Sequence, residues 1–456
     1  MKEKPISEYS TGFRKNHAKV FISWFFDFSF MPQTSAANDD ARSVNRHLSD
    51  NGRGKLMESY YDETYANMNR RDLPYRPIGR GSVGAFGTFT VTADVSGYCG
   101  ADLFSEKGLE TEVYVMFSNL FGGPGSTDVD RRTKGFDLRF YTRDGDWDLL
   151  GNNTPVSSRG TRNAIGDSDR GDYTADQLWR HCASKSNMTH VLTALMSDRG
   201  IPATYCHMHG YGARIYSTVN DEGERFWVRY HLRTDQGIAN ISDEEAKVVS
   251  RFNPHSHSDD LHDEIESGSN PSWTMYMQVM DMDQLRASEY DPFDPTRVWS
   301  HREHPMIEVG SVVLERNPQP GENMGKPFFD PANTVPGVGL SPSPDQLQTL
   351  GSRIPGPSDP YGLGDWTPPR RRDDYTQPGN LFRMMSENQK CELVDNTVRR
   401  IADLHPGVVF RHTVHCYRAD ADYGGRIADE LGISVYDIED LADLEEDELL
   451  GITEYD

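Results

Sequence analysis

The chain has 456 residues, with 36% hydrophobic and 11% aromatic residues, so it can bury the core of one large domain or of two to three ordinary ones. Its formal net charge of −24 argues against non-specific binding to nucleic acid or to an anionic membrane, because both need a cationic surface. The five cysteines are widely spaced, and no stretch approaches the roughly 18 apolar residues of a transmembrane helix, so we expect a cytoplasmic protein without a disulfide framework.

Residues 1–75 are predicted to form an N-terminal arm. The apolar stretch "KVFISWFFDFSFM", residues 19–31, is interrupted by serine and aspartate and lacks a small-residue cleavage site after it. These features are not typical of a signal peptide. We expect the stretch to pack on another surface.

Residues 76–318 carry the strongest strand signals. Alternating or β-branched runs between glycine and aspartate turns predict strands, among them "TFTVTADV", "EVYVMFSNL", "GFDLRFYT", "SWTMYMQVMDM" and "IEVGSVVLERNP". A helical section, residues 174–200, is inserted among them, and a hairpin is expected at Asn220–Gly223. So many antiparallel strands in one block predict a closed barrel.

The C-terminal part is predicted to contain a wrapping loop and a small helical domain. Residues 319–380 are rich in proline and glycine, which is typical of a long surface segment. Residues 381–435 contain two helices, the first capped by Ser386 and the second ended by Gly432. Residues 436–456 form an acidic tail with ten acidic residues and no basic one. We interpret this tail as a solvated face, with docking onto a basic partner as the alternative.

Several blocks of the sequence resemble the monofunctional haem catalases, in the same order along the chain. They include "GAFGTFTVT" (84–92), "KGFDLRFYTRDGDWDLLGNNTP" (134–155), "SDRGIPATYCHMHGYGARIY" (197–216) and "DPFDPTRVWSHREHPMIEVGSVVLERNP" (291–318). The resemblance implies an α+β fold with an eight-stranded antiparallel β-barrel, a wrapping loop and a C-terminal helical domain. It also implies a homo-oligomer, either a dimer or a tetramer.

The two residues most important for catalase chemistry differ in this sequence. The family has a distal histidine before the Gly-Ala-Phe-Gly motif, and an ungapped match places Gly79 there. Peroxide splitting needs a base that moves a proton between the two oxygens, and glycine has none. The haem-ligating tyrosine of the family matches Pro355, or Pro357 on another anchor, and Tyr361 is the only tyrosine close by.

Other haem contacts of the family are partly retained. Met116 stands where the family has an arginine that pairs with a haem propionate. Arg76, Ser118 and Asn153 match pocket residues of the family and provide polar groups that could act in catalysis. Ser118 and Asn153 can equally be kept for hydrogen bonds to the backbone. From the lost contacts we expect a haem-free chain with no cofactor, with haem as the alternative.

A histidine-rich motif, "NPHSHSDDLHDE" (253–264), is a weaker candidate site. Its histidines, His255, His257 and His262, alternate with carboxylates, which is a pattern that a non-haem metal can use. A solvated acidic loop is the more common origin of such a pattern. We therefore expect no bound metal.

The sequence leaves three functions open. The first is a repurposed enzyme, not a peroxide-dismutating catalase, that acts on a small organic molecule in the former haem pocket. The second is a haem-binding, peroxidase-like oxidoreductase with an altered axial ligand such as Tyr361. The third is a non-enzymatic pseudoenzyme that assembles with a partner through its acidic tail and arm.

Overall fold

A computed structural model describes residues 82–119, 126–156, 175–319, 329, 333–341, 369 and 373–453 of the chain. The strands in these ranges form one antiparallel sheet. They are β1 (Ser82–Val91), β2 (Glu110–Asn119), β3 (Lys134–Thr142), β4 (Gly145–Leu149), β5 (Gly151–Asn152), β6 (Gly210–Gly212), β7 (Tyr216–Val219), β8 (Arg225–Thr234), β9 (Ser272–Met280), β10 (Ile307–Arg316) and β11 (Val338–Leu340).

The sheet closes on itself because β9 pairs with both β10 and β8. The closed ring runs β8–β6–β5–β3–β2–β1–β10–β9, and in addition β4 pairs with β3, β7 with β8 and β11 with β7. The predicted eight-stranded antiparallel barrel is therefore confirmed. The predicted hairpin is also present, because Asn220 and Gly223 lie in the turn between β7 and β8.

Aromatic side chains fill the middle of the barrel. The rings of Phe140 and Trp147 stack with centroids 4.8 Å apart, and Tyr230 lies 5.2 Å from Trp147. Phe89 contacts Phe140 from β1 at 5.3 Å. Each of these side chains is buried, and each removes a large apolar area from water. A small-molecule site must therefore lie at the ends or on the outside of the barrel.

Helices lie after β5, after β8, after β9 and in the C-terminal part of the chain. The α-helices are α1 (Ala175–Ala183), α2 (Met188–Met196), α3 (Asp243–Phe252), α4 (Ser256–Glu266), α5 (Met282–Ala287), α6 (Thr376–Met384), α7 (Glu387–Ile401), α8 (Pro406–Ala419), α9 (Ala421–Leu431), α10 (Val435–Ala442) and α11 (Glu446–Thr453). Short 3₁₀ helices span Asp102–Phe104, Asp198–Gly200 and Tyr205–His207. Ser386 caps α7, and Gly432 ends α9 with a φ of 68°, as the sequence predicts.

The acidic tail continues the helical domain. Ile438, Leu441 and Leu449 of α10 and α11 are buried in the same apolar cluster as α8. Arg418 of α8 donates a hydrogen bond of 3.1 Å to the carbonyl of Ala442, where a cation also complements the helix dipole. The tail is thus packed on one side, and the Glu446 carboxylate also accepts a hydrogen bond of 3.1 Å from the Ser186 N–H. No helix in the described ranges is long and apolar enough to cross a membrane.

Candidate functional site

The outer face of the barrel carries three rows of side chains near the start of β1, which we call the outer wall. Residues directly opposite each other on paired strands project to the same face. Ala85, Val115 and Phe136 lie in the barrel core, so the residues that alternate with them face outward. The first row is Ser82, Ser118, Gly135 and Asn152, the second is Gly84, Met116 and Asp137, and the third is Arg316, Phe86, Tyr114, Arg139 and Asp148.

The first row brings Ser118 together with an asparagine that the sequence did not single out. Asn152 is 0% exposed, and its Oδ1 accepts hydrogen bonds of 3.0 Å from the backbone N–H and the hydroxyl of Thr154. Its Nδ2 has no hydrogen-bond partner among the described residues. A buried amide donor without a partner costs about 1–3 kcal/mol, so this atom indicates a place where a ligand or water binds.

The neighbouring Asn153 has a backbone role. Its Oδ1 accepts a hydrogen bond of 2.9 Å from the Lys134 N–H, and its own N–H donates to the Lys134 carbonyl at 3.0 Å. This is the kind of backbone contact that the sequence left open. Which of two adjacent asparagines faces outward depends on their pairing with β3, and the Gly-Asn-Asn motif alone contains no signal for it.

The second row combines a thioether with a buried carboxylate. Met116 and Asp137 are direct partners across β2 and β3, and Asp137 is only 5% exposed. The Gly151 N–H donates a hydrogen bond of 3.1 Å to Asp137 Oδ1. At Gly84 the row needs glycine, because a Cβ there would lie 2.2 Å from the Tyr114 phenol oxygen. Asp137 is a second wall residue that the sequence did not single out.

The third row is a ladder of aromatic rings between two arginines. The Phe86 and Tyr114 centroids lie 4.8 Å apart, and Phe329 stacks on Tyr114 at 6.4 Å. Arg316 lies 4.2 Å above the Phe86 ring, and Arg139 lies 5.4 Å from the Phe329 ring. Such cation–π contacts favour a fixed ring position. The row forms an apolar floor to which Leu150 and Met116 add further apolar surface.

A buried carboxylate of the wall binds Asn333, the first residue of the described range 333–341. Asp148 accepts two hydrogen bonds of 2.7 Å from Arg139, which is a bidentate pair. Asn333 donates to the same carboxylate at 2.8 Å, and the Asn333 carbonyl accepts from the Asp148 N–H at 3.1 Å. These contacts hold residues 333–341 against β4, close to the aromatic floor.

The inner face at the same end of the barrel is closed by a buried lysine. Lys134 is fully buried, and its Nζ donates to Asn119 Oδ1 at 2.6 Å and to the Asp130 carbonyl at 2.7 Å. Burial lowers the pKa of Lys134 to about 7, although the nearby Asp130 favours the charged form. Beneath it, Phe117 stacks on Phe136 with centroids 4.8 Å apart.

The three histidines of the predicted metal motif do not come together. His255 precedes α4, His257 is buried with its ring 5.2 Å from Tyr205, and the side chain of His262 is 57% exposed. Burial lowers the pKa of His257 to about 3, so its ring is neutral. Among the described residues, no group of three or more histidine, cysteine, aspartate or glutamate side chains is arranged to hold a metal ion.

Four residues of the predicted site lie outside the described residues. They are Arg76, Gly79, Pro355 and Tyr361. Gly79 precedes the first residue of β1 by three positions in the sequence, and that first residue, Ser82, belongs to the first row of the wall. The roles of these four residues therefore stay predictions.

Comparison with protein families identifies the class of protein to which this fold and wall belong. Residues 33–350 match the family model described as catalase, and residues 368–431 match the model described as catalase-related immune-responsive. The first match covers more than half of the chain. The chain belongs to the catalase family.

Individual relatives and solved structures agree with this assignment. The chain is 35% identical over 449 residues to a catalase of Aliivibrio fischeri, covering 83% of this chain and 93% of the relative. It is 36% identical over 467 residues to a catalase of Staphylococcus warneri, covering 85% and 92%. The structure of catalase A from Saccharomyces cerevisiae matches with a TM-score of 0.69 at 25% identity, covering 90% of this chain and 97% of that chain.

The family assignment corrects one expectation from the sequence. We expected no cofactor, and this is wrong, because homologues in the catalase family normally bind haem and the comparisons point to haem. The expectation gave too much weight to an ungapped match at a few positions. Family membership does not depend on those positions.

The described wall fits a haem in most respects. Tyr114, Met116, Leu150 and Phe329 present an apolar surface suited to the body of a porphyrin, and Asn152 offers an unpartnered donor beside it. At the second row, Met116 and Asp137 offer no cation to a propionate. The wall therefore suits the apolar body of the group better than its charged edge.

Proposed function

We propose that this chain is a haem-binding oxidoreductase of the catalase family in which the disproportionation of hydrogen peroxide is strongly reduced. The observation that carries the proposal is the first row of the outer wall, where Ser118 and the unpartnered Nδ2 of Asn152 face the same side. These groups can hold an oxygen-bearing ligand. Because Gly79 matches the distal histidine of the family, the proton-moving group is missing from its usual position.

Different residues of the outer wall have different roles in this proposal. Tyr114, Met116 and Phe329 pack together and would supply the apolar surface that holds the porphyrin and keeps water away from it. Ser118 and Asn152 orient the ligand by hydrogen bonds. The haem, when bound, supplies an iron centre that exchanges electrons with peroxide. Tyr361 is the tyrosine nearest in sequence to the position of the family's iron ligand.

The cofactor is tested by adding hemin to the purified full chain and recording the absorption spectrum. We expect a Soret band that saturates near one equivalent per chain. Tyr361→Phe should shift or abolish the band, because the phenolate oxygen is the proposed ligand. Tyr436→Phe is the matched control, since Tyr436 is exposed on α10 and should leave haem content unchanged. Absence of a Soret band in the wild type would refute haem binding.

The reduced activity is tested by measuring dioxygen release from hydrogen peroxide with the haem-loaded protein. We expect slow release, and we expect Gly79→His to raise it by about 10²–10⁴-fold, which is the usual contribution of a positioned acid–base group. Rapid release by the wild type, with no gain in Gly79→His, would contradict the proposed role of position 79.

We further infer that the protein is a homo-oligomer in a reducing, cytoplasmic compartment. Members of the catalase family are typically homo-oligomers. All five cysteines are free, and four of them are buried, which supports a compartment that keeps thiols reduced. Light scattering on the purified chain should give a dimer or a tetramer, and a monomer at micromolar concentration would contradict this inference.

A further inference from the structure

The apolar stretch of residues 19–31 has no part in the haem proposal. Nine of its thirteen residues are apolar and six of these are aromatic, and the stretch lies before residue 33, where the match to the catalase family model begins. Residues 1–81 are outside the described ranges. Aromatic side chains bury large areas when they find an apolar contact. A stretch of this composition therefore indicates a segment that binds a surface.

The residues in front of this stretch have the opposite charge to the chain as a whole. Residues 1–19 contain five lysine or arginine residues and two glutamates, which gives a net charge of +3, whereas the whole chain has −24. Opposite charges favour the encounter of two such parts. A binding surface for the stretch should therefore combine exposed apolar side chains with carboxylates.

Helix α3 has exposed apolar side chains on one face. Val248 is 56% exposed and Phe252 is 86% exposed. They are four residues apart, so they are neighbours on the helix surface. The other large apolar side chains that are exposed in the described ranges are Ile238 in a loop, Met384 on α6 and Tyr436 on α10. Among the described helices, α3 alone presents two of them together.

Carboxylates accompany this apolar face. The exposed charged side chains of α3 and α4 are five carboxylates and two cations, namely Glu244, Glu245, Asp259, Asp263 and Glu266 against Lys247 and Arg251. Glu244 is already paired with Arg399 of α7. Asp259 accepts a hydrogen bond of 2.9 Å from Asn253, the residue after Phe252, so a carboxylate lies close to the exposed ring. The face thus has both properties that the stretch requires.

We infer that residues 19–31 of this chain bind the face of α3 formed by Val248 and Phe252, with the basic residues of 1–19 next to the carboxylates of α3 and α4. The fifty residues between Met31 and Ser82 reach up to about 165 Å when extended. A folded chain of this size has a radius of gyration of only about 22 Å, so distance does not prevent the contact. The inference uses no residue of the outer wall and goes beyond the proposed function.

Amide hydrogen exchange of the full chain, followed by mass spectrometry, tests the contact. In the wild type, amides of residues 19–31 should exchange at least about tenfold more slowly than in the free peptide 13–31. The double substitution Val248→Glu and Phe252→Glu places charges in the apolar contact and should return the exchange to the rate of the peptide. Exchange as fast as that of the peptide in the wild type, or slow exchange retained in the double variant, would overturn the inference.

Met384→Glu is the matched control, because Met384 is 78% exposed on α6 and the substitution introduces a glutamate outside α3. It should leave the exchange of residues 19–31 unchanged. A photoreactive phenylalanine analogue at position 252 should cross-link to a peptide from residues 13–31, and the same analogue at position 384 should not. Cross-links from position 252 that never include this peptide would contradict the contact, even if the double variant failed to fold.

A lipid surface is the alternative partner for a stretch rich in aromatic and basic residues. Sedimentation of the wild type with vesicles of phosphatidylcholine and phosphatidylglycerol tests it. We expect the wild type to stay in the supernatant, because α3 covers the aromatic side chains. Sedimentation of the wild type at micromolar concentration would overturn the inference. None of these measurements depends on the Soret band, so their outcome is separate from that of the haem experiment.

Discussion

The two faces of β2 and β3 at one end of the barrel use the same strands for different purposes. The inner face carries Phe117 and Phe136, which stack in the core, and Lys134, which closes the core with two hydrogen bonds. The outer face carries Ser118, Asp137 and Asn152, and the Nδ2 of Asn152 has no hydrogen-bond partner among the described residues. Because successive residues of a strand point to opposite faces, we expect stability and the proposed binding to depend on alternate residues. Substitutions on the two faces should therefore separate the two properties.

The largest expected effect is on the inner face. Phe136→Ala should lower the free energy of unfolding by about 3–5 kcal/mol, because it leaves a cavity next to Phe117 and Trp273, whose rings lie 4.8 Å and 5.4 Å away. Urea unfolding measures this change. Met116→Ala on the outer wall should cost less than about 2 kcal/mol, since Met116 is already partly exposed. Equal losses would contradict the separation of the two faces.

The next effect is the pH dependence that Lys134 confers. Its pKa falls from 10.5 in the unfolded chain to about 7 in the folded one, so between these values the unfolded chain binds more protons. The contribution of Lys134 to stability is therefore smallest below pH 7 and rises as the pH rises towards 10.5. Relative to Lys134→Met, the stability of the wild type should rise steadily with pH over this window. If the free energies of unfolding of the two proteins change with pH in the same way, Lys134 does not titrate between pH 7 and 10.5.

A smaller effect is expected from His257 on the acid side. Burial lowers its pKa from 6.5 to about 3, so the unfolded chain binds the proton first as the pH falls, and stability is lost through that window. His257→Leu should remove this loss, because leucine binds no proton. His262→Leu, on the same helix but with an exposed side chain, is the matched control for the change from histidine to leucine. An equal change in both variants would exclude burial as the cause.

The smallest effect is expected at the outer wall. Ser118→Ala should change the free energy of unfolding by less than about 0.5 kcal/mol, because Ser118 is partly exposed and its place in the β2 ladder depends on backbone hydrogen bonds. Thermal unfolding measures this value. A decrease of more than about 2 kcal/mol in the free energy of unfolding would mean that the outer face also contributes to stability.

Much of the fold could be predicted from the sequence, and less of the site. The alternating runs that become β1, β2, β3, β9 and β10 predicted strands, and the caps at Ser386 and Gly432 were correct because they depend on local chemistry. His257 could not be placed in the same way. Its motif has the composition of a solvated loop, yet the side chain is buried against Tyr205, which lies far away in the sequence.

The sequence by itself determined which residues alternate along each strand, where the local caps lie and that the chain resembles the catalases. The tertiary structure decided which of Asn152 and Asn153 faces the wall, and that Asp137 stands opposite Met116. The physical reason is strand register. A shift of one residue exchanges the two faces of a strand, and the register is fixed by pairing between strands that are distant in the sequence.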